Sequence, residues 1–460
     1  MIYIVVLAVV VAVLLGVAAY KARGIKSKAD FMVAGRKLPW HVLVFTLLSS
    51  WIGAGSLFGG AENAYKNGFA SLWQPAGGWF GLILIYFIAG RARRFAQFTV
   101  PDLLEARYNA TARLMGTVAI VVSCTVITSY QFIGGGDILH LIFPDLARTT
   151  GMYIIAAFVI LFTALAGMAS VAYLDLVIGG MVTVTVIFAV PMLLANVGGW
   201  DHVKAALPPE HFTLMGRLSL KEALSFTLPT MLLLIGNQGM YQKFFSARSE
   251  KDARMAVAGW IVGALLLETL LVALAVIGSS KFHLENAREI LPTTARLGLP
   301  SLIGAILLGG MFAKVISTAN NFLFSPSTNI IHDVYARFIN PNADERKTLA
   351  ISRMVIVALG ILALVQGAYF KSILAAALYA YTIYGSAVTP AVMAVFFWKR
   401  ATTAGAIASI ALGTVVTIFW QYTYGDEAIY PALAVSVASL VIVSLLTPPP
   451  APEKVNPFHE

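Results

Sequence analysis

The chain has 460 residues, 59% of them hydrophobic and only 12% charged, about half the charge of an average soluble domain. Its formal net charge is +10, but the basic residues cluster between long apolar runs, which points to the anionic face of a bilayer and away from nucleic acid. A lone cysteine, Cys124, excludes an intrachain disulfide or a thiolate metal cluster.

The first apolar run, Met1 to Tyr20, is followed by Lys21, Arg23, Lys26 and Lys28. A cleaved signal would carry its charge before the apolar core, so this run is read as a retained span with its N-terminus outside. Runs of about 20 apolar residues, enough to cross a bilayer as helix, recur to the other end of the chain. They predict about thirteen spans, near 2–20, 39–61, 70–93, 112–137, 150–169, 173–197, 221–243, 254–279, 299–331, 349–369, 372–397, 402–422 and 429–446. None shows the alternation of barrel strands. The expected class is an all-α polytopic membrane protein. With the N-terminus outside, 22 of the 32 Lys and Arg fall in inner segments, among them Lys243 to Arg254. This places the C-terminus inside, in a cell (plasma or inner) membrane.

Two spans are interrupted. The second contains Gly53, Gly55, Gly59 and Gly60; the seventh contains Pro229 and then Gly236-Asn237-Gln238-Gly239. One glycine pair would be ordinary helix packing. Here the breaks fall, once the first span is set aside, in the first helix of each of two five-helix blocks. Matched broken helices mark the binding site of an inverted-repeat transporter. The predicted organisation is an extra N-terminal helix over 1–22, repeats over 37–198 and 220–398, two further helices over 400–447, and a disordered inner tail over 448–460. The loop from Gly198 to Lys221 has room for short surface helices.

Four acidic residues stand in or near spans. A carboxylate at a helix centre costs roughly 2.5–3.5 kcal/mol on the insertion scale. Asp175 is therefore either an interfacial charge near the inner face or functional. Glu62 and Asp137 fall towards outer ends and are read as interfacial. Glu268, mid-span, faces a bundle cavity or a hydrogen-bonding partner.

Several short segments resemble the sodium/solute symporter family, whose members carry sugars, proline, pantothenate and sialic acid. They are Phe31-Met32-Val33-Ala34-Gly35-Arg36, Tyr173-Leu174-Asp175, Asn237-Gln238, Gln242-Lys243, Ser246-Ala247-Arg248, Ser317-Thr318-Ala319-Asn320, His332-Asp333-Val334-Tyr335, Thr389-Pro390 and Phe397-Trp398-Lys399-Arg400. Each is weak alone; their order and spacing over nearly the whole chain are specific.

The resemblance implies two inverted five-helix repeats with flanking helices, no organic cofactor, and Na+ as coupling ion. It implies side-chain oxygens of Ser317 and Thr318 on sodium, with backbone carbonyls at Ser49, Ile52 and Lys314, and Asp175 in or near a second cation site. Solute contacts are expected around the breaks, at Ser56, Trp73, Gln74, Tyr130, Gln131, Asn237, Gln238, Thr382 and Tyr384. Asn237 matches a family sugar-contact position; the others rest on location. Lys314 departs from the family, which usually has a small apolar residue there. It shares a helix face with Ser317 and Thr318. Its ammonium either crowds the cation position, or snorkels to the inner surface, or pairs with an acid such as Asp175.

The function expected is sodium-coupled symport of a small organic solute across the lipid bilayer. The alternatives are a proton-coupled or uncoupled carrier on the same fold, and a transporter-like sensor or membrane enzyme. The last is disfavoured because neither a P-loop nor an H-E-x-x-H motif is present. The identity of the solute and the oligomeric state are left open.

Overall fold

A computed structural model of the chain describes residues 1–22, 27–95, 98–165, 168–342, 344–370, 372–425 and 427–459. Arg23 and Lys26, counted among the inner basic residues, lie outside the described residues. The structure is built of helices, and the described residues form only one isolated bridge, between Leu38 and Ala247. The main helices are α1 (Ile2–Ala22), α2 (Trp40–Trp51), α3 (Ala61–Asn67), α4 (Trp73–Phe95), α5 (Ala110–Ile142), α6 (Arg148–Leu165), α7 (Met168–Asn196), α8 (Leu220–Gly236), α9 (Gln238–Ser246) and α10 (Glu250–Ser279). They continue with α11 (Ser301–Asn329), α12 (Glu345–Gly367), α13 (Ile373–Ala387), α14 (Thr389–Phe397), α15 (Thr403–Tyr424), α16 (Ile429–Leu446) and α17 (Pro452–His459).

Among the described residues, nine helical stretches are long and apolar enough to cross a membrane, or ten if the bent pair α13–α14 is one span. The sequence reading of thirteen is finer than that count. Part of the difference lies at the breaks, which leave pieces such as Trp40–Trp51 too short to span alone. Many large apolar side chains face outward, including Leu161, Ile361, Val415 and Leu445. On a soluble protein such a surface would aggregate; here it is the face offered to lipid.

The stretch Ser301–Ile339, which contains α11, is the centre of the bundle. Of its apolar window 83% is buried, against 28% for α16 at the periphery. α11 packs against α5, α7, α1 and the break end of α2. Helix starts use local signals. Ser219 and Glu222 form a capping box at α8, and Ser249 caps α10 through the Asp252 amide. The loop 198–221 holds a helix, Trp200–Ala206, and one 3-10 turn, Pro209–Phe212.

Both predicted breaks are present. α2 stops at Trp51, Ile52 turns extended (φ −88°, ψ 91°), and the chain resumes as a π-helical stretch over Gly55–Gly60. α8 runs through Pro229 and stops at Gly236; Asn237 (φ −61°, ψ 113°) separates it from α9. A third interruption was not read from the sequence: α13 and α14 are bent by 41° at a break. Its signal was Thr389-Pro390, with the proline in the first turn of α14 where its missing N–H is tolerated. The tail is also different from expectation. Residues 452–459 form α17, with Phe458 buried and stacked on Phe95 at 4.3 Å.

Close helix contact at Gly77 fixes the approach of α4 to α8, because a Cβ there would strike the Thr227 carbonyl. Gly77→Ala should cost about 1–3 kcal/mol and lower the thermal unfolding midpoint in detergent. Gly180→Ala, where a Cβ meets nothing within 4 Å, should leave the midpoint unchanged or higher. Equal midpoints for the two variants would remove this packing argument.

Candidate solute and cation site

In lipid, unwound backbone must find partners within the protein. At the α2 break, Gln131 on α5 accepts from the Ala54 amide at 2.7 Å. Gly53 accepts from the amides of Ser56 and Leu57. Thr318 on α11 donates to the Ser49 carbonyl at 3.0 Å. Glycine is required here by contact, since a Cβ on Gly53 would lie 2.6 Å from the Thr318 side chain. At the α8–α9 break, Asn237 accepts from the Gly239 amide at 2.9 Å, and Tyr384 accepts from the Gln238 amide at 2.8 Å.

Beside the α2 break lies a polar cluster sealed from solvent. Asp175 on α7 is fully buried and accepts from Thr46 at 2.5 Å and from Ser317. Ser49 donates to the Asp175 carbonyl at 3.3 Å and accepts from Lys314 Nζ at 3.1 Å. Lys314 is itself fully buried, so its ammonium does not snorkel to a surface. A second buried ammonium was missed. Lys243, counted above as an inner-loop charge, lies on α9 and donates to Ser50 and to Asn321 Oδ1 (3.0 Å). Its signal was the break itself: α9 continues past Asn237 and returns Gln242-Lys243 to the core. Asp175 and the two lysines therefore meet the same Thr46–Ser50 turn, without a direct ion pair between them among the described residues.

The Ser317, Thr318 and Ser49 oxygens near the position implied for sodium are thus already engaged. Ser317 is bonded to Asp175, Thr318 to the Ser49 carbonyl, and the Ser49 hydroxyl to Lys314 and Asp175. Ile52 is where the helix ends, and its amide still bonds Leu48. The buried position of Asp175 does not fit an interfacial charge. Next to it, Asn320 lines a small hollow with Asp175 and Ser317, and both its side-chain polar atoms are unpartnered.

Trp51, at the end of α2, and Ser56, beyond the break, also line a partly open cavity whose roughly 510 Å³ of space not filled by atoms includes open solvent. Ser56 and Gln74, both expected near solute, line it, with Trp51, Thr230, Tyr381 and Glu268. Tyr381 and Glu268 complete it from α13 and α10. Tyr130 donates to Tyr381 Oη at 3.3 Å. The remaining candidates lie elsewhere. Trp73 turns outward, donating to the Leu214 carbonyl at 2.9 Å and lining a separate apolar hollow. Gln131 and Asn237 satisfy break backbone, and the Gln238 side chain accepts from the Val100 amide. Thr382 is buried but does not line this cavity. Glu62 pairs with Lys66 at 2.7 Å, and Asp137 with Arg148 and Arg288 at 3.0 and 2.9 Å. The His332-Asp333 segment joins an ion-pair cluster in which Arg113 meets Asp102, Glu105 and Asp333.

The model of the sodium:solute symporter family matches residues 31–413. The chain belongs to this family. It is a transporter, not an enzyme, and an integral membrane protein. Similar proteins include the high-affinity proline transporter PutP of Bacillus subtilis (strain 168), 25% identical, covering 97% of this chain and 98% of the relative. A sodium/proline symporter of Staphylococcus aureus is 24% identical, covering 92% and 88%. Among solved structures, a Na+-coupled sialic acid symporter in a substrate-bound outward-open state matches with a TM-score of 0.80 at 16% identity, covering 98% of both chains. Mhp1, a nucleobase-cation-symport-1 family transporter in a closed conformation, matches with a TM-score of 0.62 at 12% identity, covering 94% and 99%. At these identities the solved structures establish the shared fold.

The buried charges generate a test. Asp175→Asn would remove the carboxylate nearest to two buried ammonium groups and weaken the bonds from Thr46 and Ser317, and should destabilise by about 1–3 kcal/mol. Lys314→Met in the same chain removes one excess charge and should restore part of the loss. A double-mutant cycle on unfolding midpoints reads the coupling; strict additivity would mean that Lys314 and Asp175 act independently.

Proposed function

We propose that this transporter is a sodium-coupled symporter of a small organic solute, working by alternating access across a cell membrane. The observation that carries the reading is the α2 break, whose residues both line a partly open polar cavity and bond the Ser317–Thr318–Asp175 cluster. An ion and a solute bound across one unwound segment would each favour the same arrangement of it, and that is what coupling requires. In this reading the chain forms thirteen spans, with inverted five-helix units over 37–198 and 220–398, the N-terminus outside and the C-terminus inside. Ser317 and Thr318 would release their bonds to Asp175 and the Ser49 carbonyl and take the ion together with the carbonyls of Ser49, Ile52 and Lys314. The relatives named for proline and the neighbour named for sialic acid support a small organic solute.

One observation favours a second reading. Lys314 and Lys243 already bring two buried ammonium groups to Ser49 and Ser50, beside the Asp175 carboxylate bonded to Thr46 and Ser317. A sodium ion added there would raise an uncompensated positive charge in the dry core, which is expensive. A proton-coupled or uncoupled carrier, in which the tethered Lys314 ammonium stands at the cation position, avoids that cost.

Proteoliposome uptake with sodium and proton gradients imposed separately separates the two. The first reading expects accumulation under an inward sodium gradient. It expects Ser317→Ala and Thr318→Ala to raise the half-saturating sodium concentration about tenfold or more, the loss of one charge-assisted contact. Uptake indifferent to sodium, and altered in its response to a proton gradient by Lys314→Ala, would replace the first reading with the second.

A further inference from the structure

Glu268 is the one charged residue lining the central cavity among the described residues. It is 5% exposed and stands mid-way along α10. Its two oxygens each accept one indole N–H, Oε1 from Trp51 and Oε2 from Trp79, both at 2.9 Å. An ionised carboxylate has about four acceptor positions, so the indoles fix the group and leave acceptor capacity facing the cavity. They do not supply a positive charge. Among the described residues no Lys, Arg or His lines the cavity, and a carboxylate away from water is costly until paired.

The surroundings are shaped for a cation. The rings of Trp51 and Tyr381 line the same space, and aromatic faces attract ammonium groups. The backbone makes room for those rings. A Cβ on Gly78 would lie 2.9 Å from the Trp51 ring, and one on Gly55 would lie 2.7 Å from Tyr381 Oη. Ser56, Gln74 and Thr230 offer neutral hydrogen-bonding groups for the rest of a polar molecule. A solute bearing only negative charge would meet Glu268 with nothing to offset it.

We propose that the cavity takes solutes carrying a protonated nitrogen, an amino acid or an amine, with the Glu268 carboxylate as the counter-ion. The inference rests on the transport reading, in which this cavity holds the carried solute. Trp51 lies in the last turn of α2, immediately before the break. A cation drawn to Glu268 thus docks against the same last turn of α2 whose Ser49 carbonyl accepts from Thr318.

The test is direct binding to the purified full-length protein, measured by thermal shift and then by competition with a radiolabelled hit. The probes are the proteinogenic amino acids, pyrrolidine, choline and putrescine, with D-glucose and L-lactate as nitrogen-free solutes. Cyclopentanecarboxylate serves as the proline isostere with carbon in place of nitrogen. The expected result is binding of one or more nitrogen-bearing probes and none by the nitrogen-free set. Proline against pyrrolidine separates a zwitterion from a simple cation. Glu268→Gln should weaken the bound amine about 30-fold or more, the usual effect of removing one partner of a buried charge pair. Glu268→Asp should fall between the two. Trp79→Phe, which removes one donor without touching the cavity lining, should weaken binding far less than Glu268→Gln. Preference for nitrogen-free solutes, absence of binding by every amine, or unchanged amine affinity in Glu268→Gln each overturns the proposal. If Glu268→Gln does not fold, the isostere comparison on the unaltered protein decides alone. Uptake of the same probes into proteoliposomes is read in parallel. Accumulation of a nitrogen-free solute sinks this inference and spares the transport reading. Amine binding that depends on Glu268 but never leads to uptake does the reverse.

Discussion

A helix that unwinds inside a membrane leaves amides and carbonyls with no water to take them, and most of the central architecture follows from meeting that demand. α2 can stop at Trp51 because Gln131, reaching from α5, accepts from Ala54, and because Thr318, reaching from α11, donates to Ser49. α8 can stop at Gly236 because Asn237 caps the next helix and Tyr384 accepts from Gln238. Each contact draws a different helix to a break. The bundle is consequently organised around these two breaks, and α11, in the most buried of the candidate spans, carries Thr318, which closes the first of them together with Gln131 of α5.

The same breaks gather the buried charges. Asp175, Lys243 and Lys314 lie on three helices that share no local sequence relation, α7, α9 and α11, and all meet the Thr46–Ser50 turn of α2. Such groups are tolerated at depth only when hydroxyls and opposite charges surround them. Glu268 shares no bond with this cluster among the described residues; it is held by two tryptophans and lines the cavity. The protein thus has two charged sites that both touch residues flanking one unwound segment. One is rich in cationic groups and the other holds a carboxylate without a basic neighbour among the lining residues. Motion of that segment would change both.

Much of this was legible in the residues. Apolar runs of the right length and the position of Lys and Arg imply a helical membrane protein, and glycine clusters at Gly53–Gly60 and Gly236–Gly239 located the two breaks. Ser56 and Gln74 were placed near solute for the simple reason that they adjoin a break, and both line the cavity. The same reasoning put Trp73 there, yet Trp73 faces outward. Proximity along the chain gives depth in the membrane but not the side of the helix. Lys243 was taken for a loop charge because the length of an apolar run cannot show that a second short helix follows a break. The bend between α13 and α14 carried only a Thr-Pro pair, a signal also found at ordinary helix starts.

What the sequence determined by itself is everything set by local chemistry: which segments are apolar enough for lipid, where glycine and proline interrupt them, and that Lys314 adds a charge where a carbonyl alone was expected. Only the tertiary structure decided where those charges end. It turned Lys314 inward onto Ser49 rather than along the membrane to a surface. It brought Lys243 to Asn321, 78 positions away, and joined Trp51 to Glu268 across 217. Pairings of this kind depend on how helices rotate and cross, which is fixed by packing over the whole bundle and leaves no period in the sequence to read.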